Sequence, residues 1–282
     1  MPSLYQLEEP LPELAEPVVI AAFDGWVDAG GAATTVLEIL ARDARLVATF
    51  DPDQLFDYRS RRPTLLIRDG KLAELDWPEV TLKAASFDGR DVLVLTGAEP
   101  DDRWRRLATA TVELLGRLGV AQWISLGAIP AAVAHTRSVP ILGTASSPGL
   151  LRGGVLPGPA GLLKVPSAAL SMLEMAVSGS GVPAVGYFAQ IPHYVSGEYA
   201  LAALELMKTL EQHLDVELPR GELVEESRQL RVRLDAATEA DEATRAYVER
   251  LESMVDESRQ PAGDDLIADI ERFLRDRSAD GG

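Results

Sequence analysis

The sequence contains no cysteine, which excludes disulfides, thiolate nucleophiles and cysteine-ligated zinc or iron–sulfur sites. Positive charge is also scarce: 27 lysine and arginine residues stand against 44 aspartate and glutamate residues, giving a formal net charge of −17. Nucleic acids and anionic membranes require a basic face, which such a chain lacks. We therefore expect neither of them as a partner, and the missing cysteine is consistent with a reducing cytoplasm.

Long apolar runs are missing as well. No stretch of 18 consecutive apolar residues occurs, so no membrane-spanning helix is expected. The N-terminus has neither a basic start nor an apolar stretch, so a signal peptide is not expected either. The sequence thus predicts a cytoplasmic protein, and 282 residues suffice for one large core with a smaller appendage.

Short runs of valine, isoleucine and leucine alternate with helical patterns, which is typical of a buried, mainly parallel sheet. Strands are predicted at residues 18–23, 46–50, 64–68, 80–86, 91–96, 122–127, 139–145 and 184–190. Helices are predicted at residues 31–42, 102–118, 168–179 and 197–214. The pair Asp69-Gly70 predicts a turn, which makes residues 64–75 a candidate β-hairpin that interrupts the parallel order.

The composition changes after Pro219. Residues 220–277 are highly charged and carry apolar residues at helical intervals, which predicts three helices with breaks at 235–239 and 260–263. We divide the chain into an α/β domain, residues 1–219, and an acidic helical region, residues 220–282. Because the apolar stripe of that region is narrow, it is expected to pack on the α/β domain or on another subunit.

A strand, a glycine-rich loop and a helix follow one another between residues 18 and 42. Such a junction often binds phosphate, because free backbone N–H groups and the helix dipole converge there. The residues do not fit a nucleotide, however. Where the phosphate loop has Lys and then Ser or Thr, this chain has Gly31 and Ala32, and the spacing of Gly25 and Gly30 does not fit the dinucleotide motif.

The polar candidates for a site follow the predicted strands. They are Asp24, Asp28, Glu99, His135, Arg137 and His193, with Trp26, Gly30 and Tyr194 beside them. His135 and Arg137 are candidates either for an anion or acid–base site or for structural contacts of the loop. His193 likewise has a ligand-binding and a structural interpretation. Glu99 is a candidate general base or an acceptor of N–H groups at the start of the next helix.

The remaining features have simple structural interpretations. His213 lies at a predicted helix end, where a charged ring would meet the helix dipole favourably. Trp26, Trp104 and Trp123 are either core residues or anchors of a pocket or interface. Residues 146–161, rich in glycine and proline, form either a binding loop or a surface connector. No known catalytic or metal-binding motif occurs, so no catalytic residue, metal or cofactor is predicted.

Several of these segments occur together in a known family. The segments Phe23-Asp24-Gly25-Trp26-Val27-Asp28-Ala29-Gly30-Gly31-Ala32, Val92 to Pro100, Ser125 to Pro130 with His135-Thr136-Arg137, and Pro192-His193-Tyr194 resemble the PAC2 family, in its actinobacterial branch. The resemblance runs from about Val18 to Leu214, and it rests on the order and spacing of the segments.

The resemblance implies a three-layer α/β/α fold around a mixed sheet, similar to purine nucleoside phosphorylases, in oligomers that include trimers. It implies no established reaction. Eukaryotic and archaeal relatives bind proteasome α-subunits, some through a C-terminal tail that contains tyrosine. This chain ends Ser278-Ala279-Asp280-Gly281-Gly282, so binding by that route is not expected.

Two functions follow from these observations. The first is a non-catalytic protein that binds other proteins and assists assembly, with self-association as the safer expectation and proteasome subunits as candidate partners. The alternative is a phosphorylase or hydrolase acting on a nucleoside-like or other small molecule, with its phosphate held by Arg137 or an arginine from a neighbouring subunit, together with the N–H groups of Gly30 and Gly31.

Overall fold

The computed structural model describes residues 3–159 and 161–259, which form one large sheet between two layers of helices. The strands are β1 (Tyr5–Leu7), β2 (Val18–Ala21), β3 (Arg45–Phe50), β4 (Thr64–Arg68), β5 (Lys71–Asp76), β6 (Val80–Phe87), β7 (Arg90–Gly97), β8 (Gln122–Ala131), β9 (Ile141–Ala145), β10 (Leu156–Pro157) and β11 (Ala184–Pro192). The helices are α1 (Ala32–Ala41), α2 (Pro52–Leu55), α3 (Trp104–Arg117), α4 (Ala169–Gly179), α5 (Ala200–Leu214), α6 (Leu223–Ala240) and α7 (Glu242–Arg259).

The sheet has nine strands in the order β1-β3-β6-β7-β2-β8-β11-β9-β10. Strands β7, β2, β8 and β11 are parallel to one another, whereas β6 and β9 join this central block in antiparallel orientation. The α/β class with a mixed sheet is therefore confirmed. A parallel centre places the carboxyl ends of four strands, and the loops that follow them, along one edge of the sheet.

Successive side chains of the central strand β2 face the two helical layers in turn. Val19 and Ala21 of β2 pack in the core beneath α3 and α4, while Val18 and Ile20 pack in the opposite core beneath α1 and α5. A strand that is buried on both faces consists of consecutive apolar residues, as β2 does. The sequence signal for this strand was therefore strong.

The hairpin predicted at residues 64–75 is confirmed, because β4 pairs with β5. It forms a separate two-stranded sheet, so the strand at 64–68 is not part of the large sheet. The break predicted at 235–239 lies instead at Asp241, whose carboxylate accepts the Thr244 N–H, so α6 continues through Asp235. The predicted break at 260–263 and the third tail helix lie outside the described residues.

Residues 146–159 are a connector that packs against the body. Leu151 and Val155 lie on the core beneath α5, and β10 pairs with β9. The Arg152 N–H donates to the Tyr187 hydroxyl, which lies 2.7 Å from Nδ1 of His213. Among the described residues, no helix combines the length and the apolar character needed to cross a bilayer.

His213 is held neutral in this arrangement, so its interpretation as a charged partner of the helix dipole is wrong. Burial, and to a smaller extent the charges of Arg152 and Arg90, lower the pKa of His213 to about 4. The Tyr187 hydroxyl then donates to the unprotonated Nδ1 while it accepts from the Arg152 N–H.

The partly buried His213 predicts a loss of stability in mild acid. The unfolded chain protonates His213 near pH 6.5, whereas the folded chain does so only near pH 4. The unfolded state binds more protons in this pH range. The contribution of His213 to the unfolding free energy is therefore present above the pKa of the unfolded state and is lost as pH falls toward the pKa of the folded state. Between pH 7 and pH 4.5 the wild type should lose about 1–2 kcal/mol more unfolding free energy than His213→Gln, allowing for partial exposure. Equal pH slopes in urea unfolding of the two proteins would contradict the assignment.

Candidate functional site

All nine predicted site residues lie at the carboxyl edge of the parallel strands. The loop after β2 carries Asp24, Trp26, Asp28 and Gly30, and the loop after β7 carries Glu99. The loops after β8 and β11 carry the remaining four residues, His135, Arg137, His193 and Tyr194. Open α/β sheets bind ligands at this edge, so the partners of each polar side chain decide whether it is available to a ligand.

The carboxylate of Asp28 occupies the N-terminus of α1. Its Oδ1 accepts the Ala33 N–H at 2.8 Å, and its Oδ2 accepts the hydroxyl of Thr34. Burial raises the pKa of Asp28, against the lowering effect of the hydrogen bonds from Thr34 and Ala33. The chain's own carboxylate thus accepts the N–H groups of Ala33 and Thr34 in the first turn, and the Asp28 carbonyl accepts that of Gly31.

Gly30 has a packing role in the same loop. Its φ is 64°, and an added Cβ would lie 2.8 Å from Cβ of Tyr199. The Gly30 carbonyl accepts the Tyr199 N–H at 2.9 Å, which joins the loop to the start of α5. Only glycine permits this approach of loop and helix.

We predict that Asp28 acts as a cap rather than as an acid or base. Asp28→Ala leaves the first turn of α1 without its acceptor and should cost about 1–2 kcal/mol of unfolding free energy. Asp28→Asn retains one carbonyl oxygen for the Ala33 N–H and should cost less than half of that amount. Chemical denaturation of the two variants checks the order, and an alanine variant as stable as the wild type would contradict it.

Glu99 fastens two loops to the sheet edge. Its Oε2 accepts the Trp26 N–H at 2.9 Å, and its Oε1 accepts the Ala169 N–H, the first of α4, at 2.8 Å. A Cβ on Gly25 would lie 2.3 Å from Oε2, so a glycine there lets the carboxylate come close. Glu99 thus accepts one helix N–H group, as one interpretation expected, but this group belongs to α4 and not to the next helix along the chain.

Removing this carboxylate should loosen both loops. Glu99→Ala leaves two backbone N–H groups without their acceptor, and we expect a loss of about 1–3 kcal/mol of unfolding free energy. Glu99→Gln keeps one acceptor oxygen and should lose roughly half as much. Amide hydrogen exchange provides the local measurement: the N–H groups of Trp26 and Ala169 should exchange faster in Glu99→Ala. Unchanged protection at both positions would contradict the assignment.

Asp24 and Trp26 flank Glu99 at the surface. Asp24 pairs with Arg61 at 3.1 Å, and its carbonyl accepts the Glu99 N–H at 2.9 Å. The Trp26 side chain is 66% exposed, whereas Trp123 is fully buried and Trp104 is partly buried. The core interpretation therefore holds for Trp123 but not for Trp26.

His135 is buried beneath the helical tail. The hydroxyl of Tyr194 accepts the His135 N–H at 2.8 Å and lies 2.7 Å from its Nδ1. The Tyr194 hydroxyl therefore donates its hydrogen to Nδ1, and the neutral ring carries its own hydrogen on Nε2. Nε2 lies 3.3 Å from Asp235 of α6, but the two groups are not aligned for a hydrogen bond. Burial lowers the pKa of His135 against the raising effect of Asp235, so the ring is neutral at pH 7.

His193 and Arg137 hold the second tail helix. Nδ1 of His193 lies 3.0 Å from the Ala131 carbonyl and so carries the hydrogen, which leaves Nε2 to accept the Tyr247 hydroxyl at 2.9 Å. Arg137 lies 3.8 Å from Glu252 of α7. These loops and α7 share a small apolar cluster of Ala134, Val248 and Leu251.

The six polar candidates thus fall into three groups. Asp24 and Glu99 meet near Trp26, Asp28 lies at the start of α1, and the other three contact the helical tail. Their sequence-distant partners, Arg61, Asp235, Tyr247 and Glu252, carry no local signal that would have identified them. Thr34 is different, because a hydroxyl residue at the first turn of a predicted helix is a typical partner for a capping carboxylate. Within residues 3–159 and 161–259, no cluster of three or more histidine, aspartate or glutamate side chains could hold a metal ion.

The fold and this edge define a mixed-sheet α/β protein whose strand-end carboxylates bind its own backbone. A sequence profile of the PAC2 family matches residues 22–238. The chain belongs to the PAC2 family, as the resemblance in the strand-end segments predicted.

Solved structures agree with this membership. A Streptomyces avermitilis PAC2 family protein is 35% identical with a TM-score of 0.74, covering 82% of this chain and 99% of that one. A Corynebacterium glutamicum protein of unknown function is 31% identical with a TM-score of 0.86, covering 91% and 98%. A Mycobacterium tuberculosis proteasome-assembly chaperone homologue is 32% identical with a TM-score of 0.75, covering 82% and 99%. Among curated proteins, none matches significantly.

Proposed function

We propose that this protein is a non-catalytic binding protein that assists the assembly of other proteins from the carboxyl edge of its sheet. The observation that carries the proposal is the use of Asp28 and Glu99: both carboxylates accept backbone N–H groups that order the strand-end loops. Both carboxylates are thus engaged in ordering the backbone, which supports a structural role over that of a general base.

An exposed aromatic side chain, that of Trp26, lies on one of these ordered loops. Trp26 is two-thirds exposed although its N–H is held by Glu99. A fixed backbone with a free aromatic side chain suits protein recognition, because little loop entropy is lost on binding and a large apolar area is gained.

The proposed partners follow from the family. The Mycobacterium tuberculosis relative is described as a proteasome-assembly chaperone homologue. We propose by extension that proteasome subunits are partners of this chain, and that it forms homo-oligomers, with a trimer favoured, in the cytoplasm. Its net charge of −17 supports protein partners rather than nucleic acid or membrane. We further propose that residues 1–219 form the binding body and residues 220–282 the appendage.

The enzyme alternative has less support from the same contacts. A phosphate at the glycine loop would have to displace the Asp28 carboxylate from the start of α1. Arg137, its proposed anchor, lies beside Glu252 of α7. The candidate acids and histidines also lie in separate groups, each engaged with other parts of the chain.

Binding to purified proteasome α-subunits from an actinobacterium tests the proposal. By biolayer interferometry, Trp26→Ala should weaken the affinity of the full chain by about tenfold or more, because an exposed aromatic at the centre of a contact contributes strongly. Val224→Ala removes an exposed apolar side chain of α6 and should change the affinity by less than about twofold.

Absence of binding by the wild type would contradict the proteasome assignment. Thermal unfolding with nucleosides and phosphate tests the alternative separately. A rise of several degrees in the unfolding temperature would favour the enzyme, since only a ligand bound to the folded state raises it.

A further inference from the structure

The loops after β8 and β11 form one surface beneath α7. This loop surface consists of Ala134, Thr136, Arg137, His193 and Tyr194. The Ala131 carbonyl accepts the His193 N–H at 3.2 Å, and the Tyr194 hydroxyl accepts the His135 N–H at 2.8 Å. These bonds join the two loops to each other without α7. The loop surface is therefore ordered by the α/β body, so a ligand that binds it loses little free energy in arranging the loops.

An aromatic residue of α7 packs against two rings of the loop surface. Tyr247 donates its hydroxyl hydrogen to Nε2 of His193 at 2.9 Å. Its ring centroid lies 5.7 Å from that of His193 and 6.0 Å from that of Tyr194, and both ring pairs are close to perpendicular. Edge-to-face contacts of this geometry add to the free energy of apolar burial. The loop surface therefore recognises both the phenol ring and its hydroxyl group.

The next turn of α7 supplies an aliphatic and an acidic contact. Leu251 is buried in the small apolar cluster that α7 shares with the loops. Glu252 accepts the Thr136 hydroxyl, and its carboxylate lies 3.8 Å from Nε of Arg137. Because one helical turn has 3.6 residues, Tyr247 and Leu251 lie one above the other with Glu252 beside them.

The attachment of α7 is slight compared with that of α6. Leu223 of α6 is buried in the core beneath α5, and the Ser227 hydroxyl donates to the Ala200 carbonyl at 2.9 Å. Among the side chains of α7 that the structure describes, only Val248 and Leu251 are buried. A single residue with extended backbone separates the two helices. We therefore expect α7 to leave the loops more readily than α6 leaves the body.

The two cores of the α/β body are formed without α7. In the described part of the chain, neither the core beneath α3 and α4 nor the core beneath α5 includes a residue of this helix. The contacts of α7 lie instead at the carboxyl edge, where open α/β sheets bind ligands. A helix that covers a ligand-binding edge without supporting a core occupies the place of a ligand.

We propose that the loop surface binds a helix of a partner protein and that α7 occupies this surface in the free chain. The partner helix presents a tyrosine, a leucine four positions later and a glutamate directly after it, because these are the side chains with which α7 makes its contacts. The inference rests on the proposed function, and it specifies the chemistry of the partner. Binding then requires that α7 leave the loops, so α7 regulates the affinity.

Fluorescence anisotropy with a labelled peptide of residues 242–259 tests the inference on the full chain. Leu251→Asp in the chain removes the internal occupant, so the peptide should bind about tenfold or more tightly than it binds the wild type. Glu252→Lys places a positive charge beside Arg137 and should raise the affinity in the same direction. Met254→Asp is the matched control: Met254 lies on the same helix but is 55% exposed, so the affinity should equal that of the wild type.

Changes in the peptide test the contacts without altering the chain. Toward the Leu251→Asp chain, a peptide with Leu251→Asp should bind about tenfold or more weakly than the unaltered peptide, whereas a peptide with Met254→Asp should bind equally well. Tyr247→Phe in the peptide removes one hydrogen bond and should weaken binding about fivefold. If the chain also carries His193→Ala, the same change in the peptide should have no further effect, because the acceptor is already missing.

Two results would overturn the inference. They are equal affinities of the wild type and both release variants, Leu251→Asp and Glu252→Lys, for the peptide, and equal affinities of the unaltered and the Leu251→Asp peptide for one chain. Binding to proteasome α-subunits is measured separately. If the α-subunits bind and the peptide does not, this inference falls while the proposed function stands. If the peptide binds and the α-subunits do not, only the proteasome assignment falls.

Discussion

The carboxylate of Asp28 at the start of α1 is the interaction on which the rest of the edge depends. It satisfies the N–H of Ala33 and the hydroxyl of Thr34, and it thereby fixes the glycine loop that connects the central strand to its helix. Gly30 of this loop accepts the Tyr199 N–H, so α5 is positioned through the same turn. In related architectures this position is available to an anionic ligand. Here the anion is covalently part of the protein, and the junction gives rigidity instead of ligand affinity.

Glu99 extends the same principle to the neighbouring strand. One carboxylate connects the loop after β2 to the first turn of α4, and the Asp24 carbonyl accepts the N–H of Glu99 itself. Two acidic side chains that resemble catalytic groups in the sequence thus hold backbone in place. The edge is ordered, and the exposed Trp26 is presented from a fixed support. This combination of a rigid edge and an uncovered aromatic is what a protein-recognition surface requires.

Much of the fold could be predicted because the responsible signals are local. The buried run at β2 and the apolar stripe of α3 each reflect contacts made by the element itself. The position of β4 could not be predicted, because its aliphatic residues look like those of a sheet strand while no neighbour in the sheet accepts them. The break predicted at 235–239 was wrong for a related reason. Asp235 continues α6 and contacts His135, which is 100 positions away in sequence. The candidate residues lie at the carboxyl edge because each follows a predicted strand, but their partners are set by tertiary packing.

The second tail helix, α7, has consequences for how the edge behaves in time. In the described part of the chain, α7 shares with the loops a small apolar cluster of Ala134, Val248 and Leu251, with Tyr194 and Tyr247 packed against it, and polar bonds such as that between Tyr247 and His193. Segments with so little buried apolar area separate from a domain at a free-energy cost well below that of global unfolding. We therefore expect α7 to separate from the two histidine loops at a lower free-energy cost than that of unfolding the nine-stranded sheet.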